Sequence, residues 1–302
     1  MKKNLFKKVK SILLFTLLFA LIIPSFSLNK IRVSLIFNKD IAPFQTIKDE
    51  ISKELEGCEV IPYDVKSLPP KIQGDYIVTI GMEAYKVTLP IKGETKLIYT
   101  MVLNPEEKYE TASDILGVAM IPSPKSQFNF LAKGANIDTV TIFYNPLKSK
   151  KIVEDFKKLN SDVITCNFIE INSEKELLNT LEKSFPNKGG VLLIPDSTVL
   201  TEQGIKKMVI KSYENKVPII GFSPMYIELG AAMSIYISEK DTAKTVKNLI
   251  YGDKPEIWDR TDGVCYSRLC EVKFSKKAAQ RFSFRFDPSQ FKSDGIRIEG
   301  VE

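Results

Sequence analysis

Short apolar runs alternate along this chain with longer stretches in which apolar positions recur at helical spacing. The clearest instance lies between Gly189 and Ile237, which reads strand, loop, helix, strand, loop, short helix, strand. VLLIP is wholly apolar, as expected of a short strand buried on both faces of a parallel sheet. Asp196, Ser197 and Thr198 follow it and are expected to cap a helix running from Val199 to about Asn215. VPIIGF reads as a second buried strand, and Ser223-Pro224 opens another helix. Polar groups therefore collect where strands end and helices begin, the edge at which open α/β sheets hold ligands.

The same alternation fills the rest of the chain. IRVSLIF, from Ile31, predicts a strand; the loop Asn38 to Pro43 leads to a helix with Phe44, Ile47, Ile51 and Leu55 on one face, ended by Gly57. CEVIPYDV is the next strand, and the two prolines of KSLPPKIQG leave room only for a turn or irregular link. DYIVTIG precedes a helix opening at Gly81-Met82-Glu83-Ala84, and KLIYTMVLNPE gives a fourth strand with its loop at Leu103 to Pro105. Asp114 to Pro124 reads as a link to a second set: helix Ser126 to Lys133, strand TVTIFY, helix Lys148 to Leu159, strand DVITCNFIEI, helix Ser173 to Phe185. Such repetition predicts an α/β fold of two doubly wound parallel-sheet lobes joined by a hinge.

Composition changes the picture at three points. Residues 1–27 combine five lysines, an apolar run from Ile12 to Ile23 and small residues at Ser25 and Ser27, the pattern of a secretory signal peptide cleaved before Leu28. The alternative is an uncleaved anchor, against which the run is shorter than the ~20 residues of a membrane span. Those lysines also carry the net charge: without them 38 basic residues face 37 acidic ones, which leaves no basic footprint for nucleic acid. There is no histidine anywhere, which excludes Ser-His-Asp and Cys-His catalysis and histidine-ligated zinc. With no phosphate-cradling GxxxxGK either, the sequence predicts neither an enzyme nor a cofactor.

PDSTVL, VPIIGFS, ELGAAMSIYI and a helix ending in YGDKP, in that order, resemble the C-terminal lobe of the substrate-binding proteins of ABC transporters. DYIVTIGMEA, KLIYTMVLNPE and TVTIFYNPLKS agree with the same family earlier in the chain, and the match runs loosely from Ile31 to about Asp287. The branch concerned has a type I periplasmic-binding-protein fold and includes binders of aromatic amino acids. The resemblance implies a first lobe of residues 28–117 and 230–256, a second of 118–229 and 257–288, and a polar tail at 289–302. It implies an exported, periplasmic or extracellular monomer that captures an amino-acid-like solute, with a carboxylate, between its lobes and delivers it to an ABC permease. A periplasmic sensor signalling to a membrane partner is the alternative on the same fold. KSLPPKIQG departs from the family, which places a full helix there.

Candidate ligand residues are those at strand-to-helix loops: Asn38, Gly81, Met82, Glu83, Thr100, Asn104, Tyr144, Asn145, Asp196, Ser197, Thr198, Ser223 and Tyr226. The helix start at Gly81 suits a carboxylate, although Glu83 in its first turn serves equally as a self-cap. By the resemblance, Asp196 faces a ligand ammonium group; as a plain helix cap it fits the sequence equally well. Tyr144 and Tyr226 stack on a flat ligand or pack in the core. Cys265 and Cys270 are spaced for a small disulfide loop or remain two thiols, whereas Cys58 and Cys166 read as buried structural cysteines.

Overall fold

The computed structural model describes residues 30–102, 113–159, 163–252, 258–283 and 296–301. The expected signal segment therefore lies outside the described residues. In the first lobe, β1 (Arg32–Phe37), α1 (Ala42–Glu54), β2 (Glu59–Asp64), β3 (Tyr76–Ile80), α2 (Met82–Thr88), β4 (Lys96–Thr100) and β5 (Ile115–Val118) follow in order. The proline-rich link after β2 contains only a single 3-10 turn, Val65–Ser67. In the second lobe come α3 (Pro124–Gly134), β6 (Thr139–Tyr144), α4 (Pro146–Leu159), β7 (Thr165–Glu170), α5 (Glu174–Lys183), β8 (Gly190–Leu192), α6 (Glu202–Asn215), β9 (Ile219–Gly221), α7 (Met225–Glu228) and β10 (Met233–Tyr236). The chain then continues through α8 (Glu239–Tyr251), β11 (Trp258–Thr261), β12 (Val264–Ser267), β13 (Cys270–Ser275), α9 (Lys276–Arg281) and β14 (Ile296–Val301).

Two seven-stranded sheets result, ordered β11-β12-β5-β4-β3-β1-β2 and β14-β13-β10-β9-β8-β6-β7. Among the described residues, pairing is parallel except between β11 and β12 and between β10 and β13. Helices cover the strands on both faces, which is why the central runs are apolar throughout. On one face of the first sheet, Val33, Leu35, Val78 and Ile98 pack with Ile47, Ile51 and Leu55 near α1 and with Ala243, Val246 and Ile250 of α8. In the second lobe Phe128 and Phe156 meet edge to face, 5.6 Å between centroids, over Val140, Ile142 and Ile220.

The late strands divide differently from the expected lobe boundaries. Met233 and Ser234 pair with Ile220 and Gly221, so β10 stays in the second sheet, and only α8 crosses to the first lobe. Trp258 to Ser267 forms a hairpin whose β12 pairs with β5, placing it in the first lobe. The tail is not wholly irregular either. Ile296 to Val301 pairs in parallel with β13, with Ile296 buried. Among the described residues the chain thus passes between the lobes three times, after β5, after β10 and after β12. The first and third passages run side by side, Ala119 N–H donating to Cys265 O at 3.0 Å and Ser123 N–H to Ser267 O at 2.7 Å.

Candidate functional site

Where the lobes face one another, a partly open cavity of about 370 Å³ is lined by strand ends and crossing segments from both. The first lobe contributes Ile47 of α1 and Thr100 and Met101 at the end of β4. Ala119 and Met120 come from the first crossing, Tyr236, Ile237 and Ser238 from the second, and Glu239 and Thr242 from the start of α8. The second lobe supplies Phe222, Ser223 and Pro224 after β9, and Glu271 of β13. Met101 holds a left-handed backbone at φ 57°, a conformation uncommon for a residue with a side chain and one that recurs at functional sites.

A polar cluster frames one wall. Tyr236 O–H donates to Glu271 Oε2 at 2.7 Å, and Arg297 of β14 donates to Glu271 Oε1 at 2.8 Å. Arg297 also pairs with Asp241, which is wholly buried in the first turn of α8, and Ser238 Oγ donates to Asp241 Oδ2 at 2.8 Å. Ser238 in turn caps α8, accepting from Asp241 N–H at 3.2 Å. Burial pushes the Glu271 carboxyl up, but hydrogen bonds from Tyr236 and Arg297 and the charge of Arg297 outweigh it, leaving it below the usual carboxylate range. Burial, then the bond to Glu271, pushes the Tyr236 phenol up.

Of the residues expected from sequence, Thr100 and Ser223 line this cavity. Most of the other described candidates are held within their own lobes. Asp196 is buried and saturated: its carboxylate accepts from Asn145 N–H at 2.6 Å, Ser149 Oγ at 2.8 Å, Thr198 N–H at 2.8 Å and Val199 N–H at 3.2 Å. It does not cap α6; Thr201 does, through Gly204 N–H at 3.0 Å, and the helix starts at Glu202 rather than Val199. Asn145 adds a bond from Nδ2 to Thr198 Oγ1 at 2.9 Å, and Ser197 is exposed. Glu83 accepts from Asn38 Nδ2 at 2.8 Å. Gly81 is required by packing: at φ 89°, its absent Cβ would lie 2.6 Å from the Phe44 ring. Met82 packs beside Tyr85 and Tyr99.

Tyr144 is buried and donates to Glu170 at 2.8 Å, its phenol pushed up to about 12 by burial and by that carboxylate. Tyr226 is buried against Phe222, ring centroids 5.0 Å apart, and so backs the cavity wall through Phe222. Asn104 lies outside the described residues. Cys265 and Cys270 are unbonded, a correction to the disulfide expectation: β12 and β13 belong to different sheets, and each thiol is buried separately. Burial pushes both thiols up to about 12.

The sequence reading missed Met101, Met120, Phe222, Tyr236 and Glu271. Phe222 adjoins the Ser223-Pro224 signal and was within reach; the crossing residues carry no local signature. A second cavity, sharing the Ala119 and Met120 wall, measures about 40 Å³, room for water rather than an organic solute.

A family model described as ABC transporter substrate binding protein matches residues 108–262, just over half of the chain. Among solved structures, an ABC domain in complex with L-Trp from Streptococcus pneumoniae is 17% identical, with 89% of this chain and 100% of that one covered and a TM-score of 0.54. A ligand-free, open substrate-binding protein with adhesive properties from Clostridium difficile is 12% identical, covering 90% and 100%, with a TM-score of 0.60. A conserved domain protein from Vibrio cholerae is 15% identical, covering 89% and 100%, with a TM-score of 0.51. At these identities the structural likeness shows the two-lobed fold. No curated protein matches the chain.

Proposed function

The chain belongs to the family of ABC transporter substrate-binding proteins, and we propose that it captures a small organic solute of amino-acid size between its lobes and hands it to an ABC permease. The observation that carries this reading is the cavity of about 370 Å³ walled by both lobes and by crossing segments, within the size range of small-molecule sites. Rotation about the three crossings would open and close it, the hinge motion by which two-lobed binders trap a ligand. The signal-like first 27 residues support export, with the protein acting in the periplasm or outside the cell. Binding without catalysis is supported by the absence of histidine from the sequence and by the burial of Cys265 and Cys270.

The test is a thermal-shift screen of the chain from Leu28 onward against amino acids and other small metabolites. A solute at a hundred times its Kd adds about 2.7 kcal/mol of stability, a shift of several degrees. Silence across a broad panel would remove the solute-binding reading.

A further inference from the structure

The charged side chains lining the large cavity are of one sign. Among its described lining residues there is no lysine or arginine, and the charged ones are the carboxylates of Glu239 and Glu271. Arg297 reaches Glu271, but it is not among the residues that form the wall. Next to the wall residue Ser238, the wholly buried Asp241 keeps one oxygen, Oδ1, with no hydrogen-bond partner among the described residues; Lys244 Nζ stands 3.9 Å from it. Glu239 itself is exposed at the start of α8 and is free to turn toward an occupant. The rest of the wall is apolar or hydroxylic, with Met101, Met120 and the Phe222 ring offering faces to an apolar body.

We infer that the cavity selects a ligand bearing positive charge: an organic amine whose ammonium group meets Glu239 and Glu271 while its apolar body lies on Phe222 and the two methionines. The inference rests on the solute-binding reading above and specifies the charge of the solute. Charge-assisted hydrogen bonds to carboxylates are strong in a partly enclosed site, and the same carboxylates repel an acid. A ligand carboxylate finds no cation among the described lining residues, and Arg297 beside them is already paired with Glu271 and Asp241.

Three trios, each matched in apolar body and differing in charge, test it on the chain from Leu28 onward, by calorimetric titration: tryptamine, L-tryptophan and indole-3-propionate; tyramine, L-tyrosine and 4-hydroxyphenylpropionate; isoamylamine, L-leucine and 4-methylpentanoate. The expected result is that the amine binds at least tenfold more tightly than the matching acid. That advantage should shrink as salt is raised, because screening weakens exposed charge pairs, and it should shrink in Glu239→Gln. Glu239 is exposed and its replacement leaves the core intact, so the variant reports on charge rather than folding. An acid or zwitterion that binds as tightly as its amine overturns the inference and leaves solute binding standing. If no compound in these trios or in the broad metabolite panel binds, the solute-binding reading falls, and this inference with it.

Discussion

The Asp196 carboxylate receives four donors from its own lobe, two of them the backbone N–H groups of the loop that follows it. It braces the ends of β6 and β8 against one another at the rim of the second lobe. Replacement by alanine leaves the buried Asn145 N–H without a partner and frees the loop. We predict a loss of about 3 kcal/mol in urea unfolding, from unsatisfied buried donors at about 1–3 kcal/mol each. Solute affinity of the folded protein should change little; a large loss of affinity at unchanged stability would instead make Asp196 a ligand contact. The thiols give a second prediction. Cys265 and Cys270 are buried and their pKa values are pushed up to about 12, so the reactive thiolate is scarce at pH 8. Iodoacetamide should label neither in the native protein and both after unfolding; rapid native labelling would contradict the burial. Both cases show what sequence could and could not reveal at this scale. Polar residues at strand ends were legible as a group, but the carboxylate and amides that looked available to a ligand had satisfied one another.

At the scale of elements, the terminal strand β14 matters most. Its Arg297 joins Glu271 on the second sheet to Asp241 on a helix of the first lobe, so a short strand at the far end of the chain ties together one wall of the cavity. We predict that Arg297→Gln costs about 2 kcal/mol, below the value for a fully buried pair because the arginine side chain is 48% exposed. The loss should depend on pH in a defined sense. The Glu271 carboxyl lies below its ordinary value when folded, so its stabilisation is complete above the ordinary carboxylate pKa and is lost as pH falls through the depressed one. Urea titrations at stepped pH should therefore show the wild type converging on the variant in acid and standing apart from it near neutrality. A constant gap across that range would sink the assignment. β14 was hidden in the sequence because Ile296 and Ile298 alternate over too few residues to separate a strand from a polar tail. The longer elements were readable. Most helices and strands before residue 230 form within a few residues of their expected places, because period and turn chemistry are local properties. Which sheet β10, β12 and β14 join depends on partners far away in sequence, and no local pattern records that.

For the whole molecule, the question is what sets the angle between the lobes. Besides the three crossings, α4 of the second lobe rests against the β11–β12 hairpin of the first. Asp155 of α4, wholly buried, accepts from Tyr266 O–H at 2.7 Å and from Thr261 Oγ1 at 3.3 Å. Lys151 and Lys158 of the same helix pair with Asp262 at the hairpin turn. The two lysine pairs share an Asp262 carboxylate that is half open to water, and each contributes little. The Tyr266–Asp155 bond is the strong member, since a buried carboxylate that loses a donor is left poorly solvated. If the lobes rotate to release a solute, this contact must break or slide, and its strength then enters the balance between arrangements. Tyr266→Phe deletes the donor and keeps the ring. A penalty of about 1 kcal/mol on the clasped arrangement alone shifts the ratio of arrangements about fivefold. Fluorescence energy transfer between dyes on the two lobes, without ligand, should show the ratio of separated to clasped molecules rising by that factor, and solute affinity should fall only as far as the clasped fraction does. Should the variant instead lose overall stability with its inter-lobe distances unchanged, the contact is static packing and the angle is set by the crossings alone.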